Sequence, residues 1–255
     1  MDGIGSMDAY AALAKAMGHS AFAVTDHGVV QAFPEAQKAA EKHGLKMIYG
    51  CEMYMVDQAV SHIMHPSDRH LMATDYVIFD LETTGLSSRY DRIIEFGGVR
   101  VRDGEIMDRL SLLIHPEAVP LSATASQISG ITMAMLEGQP AFHDVAQSIR
   151  DFLKDAILLS HNAPFDIGFL KESFSRLGEA FSYPVIDTLT LSRHFYPEAK
   201  SHRLGALTKR LDVAYDEEKA HRAIYDAEIL VAVWLALREK LMAMDGITTH
   251  ADLEK

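Results

Sequence analysis

Apolar positions in the first 56 residues change period several times. Met7 to Met17 is an Ala-rich run at helical spacing ended by Gly18, Ala21 to Val24 a continuous apolar block, Pro34 to His43 a helical run stopped by Gly44, and Lys46 to Tyr49 a second short block, apolar after its lysine. Short blocks between turn residues read as buried strands and the longer runs as helices, so helix, strand, helix, strand is predicted, as in a parallel α/β unit. Such a stretch is about half a domain, because fewer than about 60 residues rarely bury enough apolar area to stand alone. Residues 57–73 lose their period around His62, His65, Pro66, Ser67, Asp68, Arg69 and His70 and read as a linker with exposed histidines.

A second pattern begins near residue 74. Tyr76–Leu81, Ile93–Arg102 and Glu105–Ile114 read as three strands, the last two joined by Asp103-Gly104, a two-residue hairpin signal. The pattern then alternates: helix over Ala141–Lys154, strand over Ile157–Ser160 and helix over Pro164–Leu177, with Asp187–His194, Arg203–Leu211 and a long amphipathic stretch from Arg222 to about Met242 completing it. A meander followed by alternating strand and helix predicts an α/β domain over 74–242, with 243–255 as a tail.

Composition narrows the class. Of 255 residues 48% are apolar and 24% charged, so a packed core is available. The longest apolar stretch, Ile229 to Leu237, is half of what a membrane span needs, so no membrane partner is expected. The N-terminus lacks a secretory pattern and Cys51 is the lone cysteine, so a cytoplasmic protein is expected. A net charge of -12 argues against simple electrostatic coating of nucleic acid. Any contact with phosphates must be local, with carboxylate-held divalent cations as the bridge.

Three short segments carry the candidate chemistry. Strand alternation in Tyr76–Glu82 sends Ile78, Asp80 and Glu82 to one face and Val77, Phe79 and Leu81 to the other, so two carboxylates share a face at the end of an apolar strand. Alone, such a triplet is common. In His161-Asn162-Ala163-Pro164-Phe165-Asp166, Asn162 takes an N-cap position and Asp166 falls in the first helical turn, which the helix dipole alone could explain. In His221-Arg222-Ala223-Ile224-Tyr225-Asp226, Asp226 falls in line with Ile229, Leu230, Val233 and Leu237 on the core-facing stripe, where a carboxylate needs a cation or donors. His221 reaches the same site only if it lies at or before the helix start, and an imidazole there can act as a general base near neutral pH.

Together, Asp80-Leu81-Glu82-Thr83-Thr84-Gly85, His161 to Asp166 and His221 to Asp226 resemble, in order and spacing, the three motifs of the DEDDh exonucleases. The resemblance implies a ribonuclease H-like fold, a mixed sheet flanked by helices, and 3′-to-5′ removal of nucleotides from DNA. It implies that Asp80, Glu82, Asp166 and Asp226 bind two Mg²⁺ or Mn²⁺ ions and that His221 deprotonates the attacking water. It further places Thr83, Thr84, Gly85 and Leu86 around the terminal nucleotide, with Leu86 against the base, while Asn162 and Phe165 could line the same pocket. The dense basic cluster of Lys200, His202, Arg203, Lys209 and Arg210 could contact phosphates or be a solvated helix face. Asp187 reads most simply as an N-cap.

In residues 1–56, Ala23-Val24-Thr25-Asp26-His27-Gly28 and Tyr49-Gly50-Cys51-Glu52 resemble internal motifs of the PHP domain, with Asp26, His27 and Glu52 at strand ends where its metal ligands lie. A PHP segment joined to a DEDDh exonuclease is the arrangement of PolC-type DNA polymerase III alpha subunits. The His-x-His strand that opens a PHP domain is not in the sequence, so an incomplete PHP segment is expected, with a vestigial metal site at most. Implied partners are a DNA 3′ end, the rest of a polymerase and other replisome proteins. Rival readings are a freestanding DEDDh nuclease for DNA or short RNA, and a non-catalytic docking segment; the latter is disfavoured because all five catalytic positions hold the expected residue types.

Overall fold

The computed structural model describes residues 5–53, 61–216 and 220–254. The chain forms two units, Met1–Ala59 and Val60–Lys255.

In the first unit, α1 (Met7–Ala16), β1 (Ala21–His27), α2 (Phe33–His43) and β2 (Lys46–Glu52) follow the sequence expectation, with each strand running three residues further. β1 and β2 pair in parallel, Ala21 opposite Lys46 through His27 opposite Glu52. Ser6 caps α1, and Gly44 ends α2 in the left-handed conformation (φ 62°) that glycine adopts without steric cost. The core is small, built on Ala11, Ala39, Ala40 and Leu45, and Ile48, Tyr49 and Met53 remain exposed.

The second unit holds β3 (Ile63–Met64), β4 (Tyr76–Thr83), β5 (Ile93–Arg102), β6 (Glu105–Leu113), α3 (Ala123–Ser129), α4 (Met133–Leu136), α5 (Phe142–Leu153), β7 (Ile157–Ser160), α6 (Ala163–Arg176), β8 (Val185–Asp187), α7 (Thr188–Phe195), α8 (Leu204–Arg210) and α9 (Ala223–Met242). Its sheet has the order β3-β8-β7-β4-β5-β6. β4, β5 and β6 form the expected antiparallel meander, β7 and β8 add in parallel, and β3 closes the edge antiparallel to β8. Asp103 (φ 52°) and Gly104 (φ 86°) turn the hairpin with both residues left-handed, the geometry that matches strand twist.

The alternation of β4 divides the interior into two cores. Tyr76 and Ile78 pack with Val99, Leu159, Leu230, Val233, Trp234 and Leu237 beneath α9, whereas Val77, Phe79 and Leu81 pack with Phe96, Ile149, Leu153, Phe169 and Leu170 beneath α5 and α6. Complete burial of such side chains contributes about 1.5–3 kcal/mol each, which is what holds the sheet between its helices.

Several details depart from the sequence expectation. Within the segment read as a linker, residues 54–60 lie outside the described set, but Ile63–Met64 is the sheet's edge strand, Leu71 is buried, and His62 is half-buried rather than exposed. The tail folds back: Thr248 accepts from the Leu71 N–H at 2.9 Å, and Ile247, His250 and Leu253 are buried. Strands of two or three residues, β3 and β8, carry too little pattern to be seen in sequence and exist because a neighbour pairs with them. Among the described residues, no helix is long and apolar enough to cross a membrane.

Candidate active site

Three elements deliver the carboxylates. β4 carries Asp80 and Glu82 on its α9 face. α6 follows β7 after a sharp turn and holds Asp166 in its first turn, buried; α9 likewise holds buried Asp226 in its first turn. His221 precedes the helix cap Arg222 in a left-handed conformation (φ 62°), before the helix start as the site requires, and its backbone N–H donates to Asp226 Oδ2 at 3.0 Å. All five side chains line one cavity of about 720 Å³, with His161, Phe165, Arg203, Lys209 and Tyr215 among its other walls.

Acids outnumber bases in the cavity lining, with four carboxylates against Arg203 and Lys209. Burial lifts the Asp80 carboxyl well above the usual range, and the nearby Asp166, Glu82 and Asp226 push it further. Glu82 rises to about 8 through burial and then the charges of Glu95, Asp226 and Asp166. Asp166 rises to about 8, again mainly through burial. Burial also raises Asp226, opposed by the bond from the His221 N–H. The ion pairs of the sheet join other partners, Glu95 with Arg222 and Asp75 with Arg100 and Arg102. Carboxylates so placed ionise readily only beside added positive charge.

From the sequence, four carboxylates are expected tight enough to hold ions, and here the geometry differs. As the side chains stand, no three His, Cys, Asp or Glu among the described residues form a set that could hold one metal ion. The two oxygens of Asp226 instead accept from Tyr215 Oη (3.3 Å) and from the His221 N–H (3.0 Å). The donor chemistry nevertheless fits: four carboxylates in one cavity, each raised by a neighbouring carboxylate as well as by burial, make an all-oxygen set suited to a hard divalent cation.

The remaining expected residues divide. Phe165, Arg203 and Lys209 line the cavity; Asn162 and Lys200 line an adjoining one of about 540 Å³ that shares His161, Ser201 and Arg203 with it. Arg210 turns away and lies over the Tyr196 ring, 5.1 Å from its centroid. Thr83, Thr84, Gly85 and Leu86 are not among the lining residues of the 720 Å³ cavity. Thr83 Oγ1 donates to Gly85 O (2.6 Å), Thr84 Oγ1 to Asp91 Oδ1 (3.2 Å), and Leu86 is 88% exposed. Gly85 does allow a close approach, but to the Asp91 carboxylate, 2.6 Å from where a Cβ would lie.

Asn162 occupies the N-cap position of α6, in left-handed conformation (φ 77°), yet its side chain makes no capping bond. Asp187 supplies it instead: its Oδ1 accepts from the N–H groups of Asn162 (3.0 Å), Ala163 (3.2 Å) and Leu189 (3.0 Å), capping α6 and α7 together. In the first unit, His27 Nδ1 lies 2.7 Å from Glu52 Oε2, while Asp26, on the opposite strand face, accepts from the Ala32 N–H at 2.8 Å. These three therefore do not converge.

Sequence reasoning passed over Glu95, Gly97 and Tyr215. Glu95 sits opposite Glu82 in the β4–β5 register, fully buried, and grips Arg222 and the α9 N-terminus. Gly97 carries the α9 backbone directly against the sheet. Only the Ile-Ile-Glu-Phe-Gly-Gly order, an acid inside an apolar strand followed by paired glycines, hinted at either.

A family model described as exonuclease matches residues 77–234, the whole span from β4 into α9 that builds this cavity. The chain belongs to the exonuclease family. Its curated relatives include the PolC-type DNA polymerase III of Halalkalibacterium halodurans, 49% identical over 230 residues (89% of this chain, 16% of the relative), and that of Bacillus subtilis, 44% identical over 257 residues (100% and 18%). The exonuclease chain thus spans under a fifth of the length of the curated relatives it matches. Among solved structures, Exonuclease X in complex with 5′ overhanging duplex DNA is 28% identical with a TM-score of 0.57, covering 71% of this chain and 99% of that one. A zinc-bound complex of Escherichia coli ExoI with single-stranded DNA shares the fold, with a TM-score of 0.61 at 20% identity over 67% of this chain and 42% of that one. The family works with divalent metal ions, in keeping with the carboxylate-lined cavity.

Proposed function

We propose that the chain is the 3′-to-5′ exodeoxyribonuclease segment of a PolC-type replicative polymerase, removing mismatched nucleotides from a DNA primer end in the cytoplasm. The observation that carries this reading is the single cavity lined by Asp80, Glu82, Asp166, Asp226 and His221 in a chain 44–49% identical to PolC-type polymerases. The four carboxylates would hold two Mg²⁺ or Mn²⁺ ions. Bound there, such ions supply Lewis acidity at the phosphodiester.

This chain's residues do the rest. His221 takes the proton of the attacking water, held at the cavity edge through its own N–H and Asp226. Phe165 offers a ring to the terminal base, and Arg203 and Lys209 present positive charge to the strand's phosphates. Neutral His161, its basicity lowered by burial, fixes the cavity wall through Nε2–H to the His202 carbonyl (2.8 Å).

A mismatched primer–template incubated with Mg²⁺ tests the assignment. Mononucleotides are expected to leave one at a time from a 3′-labelled end, and a chelator to abolish release. Early release of a labelled mononucleotide from a primer labelled at its 5′ end instead, or undiminished activity in chelator, would sink it. A single-stranded RNA competitor separates this reading from that of a nuclease indifferent to the sugar.

The basic wall has its own test. Replacing Arg203 and Lys209 together by Ala should weaken strand affinity and reduce the slope of log affinity against log salt by about 0.7 per lost phosphate contact. Arg210→Ala, already engaged over Tyr196, should leave the slope unchanged.

A further inference from the structure

We propose that Glu95 is a positioning residue for His221, acting through Arg222 and the first turn of α9; this rests on the reading of His221 as the proton acceptor. Glu95 lies near the start of β5, between β4 and the edge strand β6, and its carboxylate is fully buried. Its two oxygens are taken by one short segment. Arg222 Nη2 donates to Oε1 at 2.8 Å, Arg222 Nε lies 3.3 Å from both oxygens, and the Ala223 N–H donates to Oε2 at 3.1 Å.

Arg222 follows His221 directly and caps α9, while Asp226, which accepts the His221 N–H, stands in that helix's first turn. A planar guanidinium held by a carboxylate fixes orientation as well as distance. Residue 221 is thereby held between two anchors, Glu95 on one side and Asp226 on the other, in a left-handed turn (φ 62°) that a non-glycine residue seldom adopts without support. Bulk packing does not account for the acid. Burying a charge in a strand is costly unless its partner is fixed, and an apolar residue would fill the same space more cheaply.

The test is Glu95→Gln in the full chain. Removing the charge loosens the grip on Arg222, whose side chain is 42% exposed and can turn to solvent, so folding is expected to survive. The His221 amide, followed by NMR, should exchange with deuterium at least ~10-fold faster, since its hydrogen bond to Asp226 depends on the held turn. In assays, kcat should fall ~10- to 100-fold with KM within ~3-fold, the mark of a misplaced catalytic group rather than lost substrate binding.

The same substitution in a His221→Ala background should cost nothing further, because a positioning residue has nothing left to place. Additive losses in that double variant, or unchanged His221 amide exchange, would overturn the proposal. If Glu95→Gln does not fold, Arg222→Lys, which keeps the charge but loses the fork, carries the same cycle, and the same two results overturn it. Should the unsubstituted chain prove inactive, the reading of His221 fails by itself, while the exchange measurement still decides whether Glu95 holds the turn.

Discussion

Asp80→Asn is expected to lower exonuclease turnover at least ~100-fold and, in the same protein, to raise thermal stability at pH 8 in chelator. Both effects come from one carboxylate. Its loss removes a ligand candidate and a negative charge from a cavity already holding Glu82, Asp166 and Asp226. The sign follows from linkage. A carboxyl whose folded pKa is raised contributes stability that is fully present below its unfolded pKa, near 4, and lost as pH rises through its folded value. Glu82 and Asp166 are both lifted to about 8, and Asp80 well above its ordinary value.

In chelator, the melting temperature of the unsubstituted chain should therefore fall between pH 5 and pH 8, by on the order of 5 °C. The amide introduced by Asp80→Asn carries no charge, so the variant's curve should be flatter, and Mg²⁺ should recover the loss in the parent more than in the variant. Melting scans at several pH values with and without Mg²⁺ decide it; a variant that melts below its parent at pH 8 in chelator would refute the account of the cavity's charge.

The second large effect lies outside the cavity. A Cβ on Gly97 would stand 2.0 Å from the Ile224 nitrogen and 2.2 Å from the Ala223 carbonyl carbon. Both are backbone atoms of the first turn of α9, so no side-chain rotation can make room. Gly97→Ala is expected to cost about 3 kcal/mol, a melting decrease of roughly 6–12 °C. The fold can relieve the overlap only by lifting α9, which carries Asp226 and follows His221. Turnover should accordingly fall ~100-fold even in molecules that remain folded at assay temperature. Gly168→Ala is the matched control. It sits inside α6 with only Ser88 Oγ near, at 3.9 Å, and should leave turnover unchanged while stabilising by about 0.5–1 kcal/mol. Wild-type stability in Gly97→Ala would show that α9 can ride higher on the sheet without cost.

Legibility of this fold in its sequence depended on range. Ile93–Arg102, Ile157–Ser160 and the Asp103-Gly104 turn follow directly from local pattern, whereas Asp80, Glu82, Asp166, Asp226 and His221 stood out only because their three segments together resemble the DEDDh motifs; strand alternation and helix position added which way some of these side chains face. Long-range partners could not be read. β3 and β8 exist through pairing, the tail packs because Leu71 and Val185 offer or accept hydrogen bonds to it, and Glu95 matters because Arg222 lies 127 residues away. Asn162 illustrates the same limit: its residue type suits a cap, but Asp187 from another strand took the task. Carboxylate orientation was the furthest from reach, since the donors on Asp226 include a tyrosine whose neighbourhood no motif announces.

One oxygen atom of Asp187 receives the opening amides of two helices. Those helices begin on adjacent strands, so a common hinge pin joins them, and neither can drift without pulling the other. A wall assembled in this way resists being widened piecemeal by the chance substitutions that reshape loops. Because α6 lends Phe165 and Asp166 to the carboxylate cavity and α7 lends Leu189 and Arg193 to the adjoining one, shifting either wall strains the cap that both share.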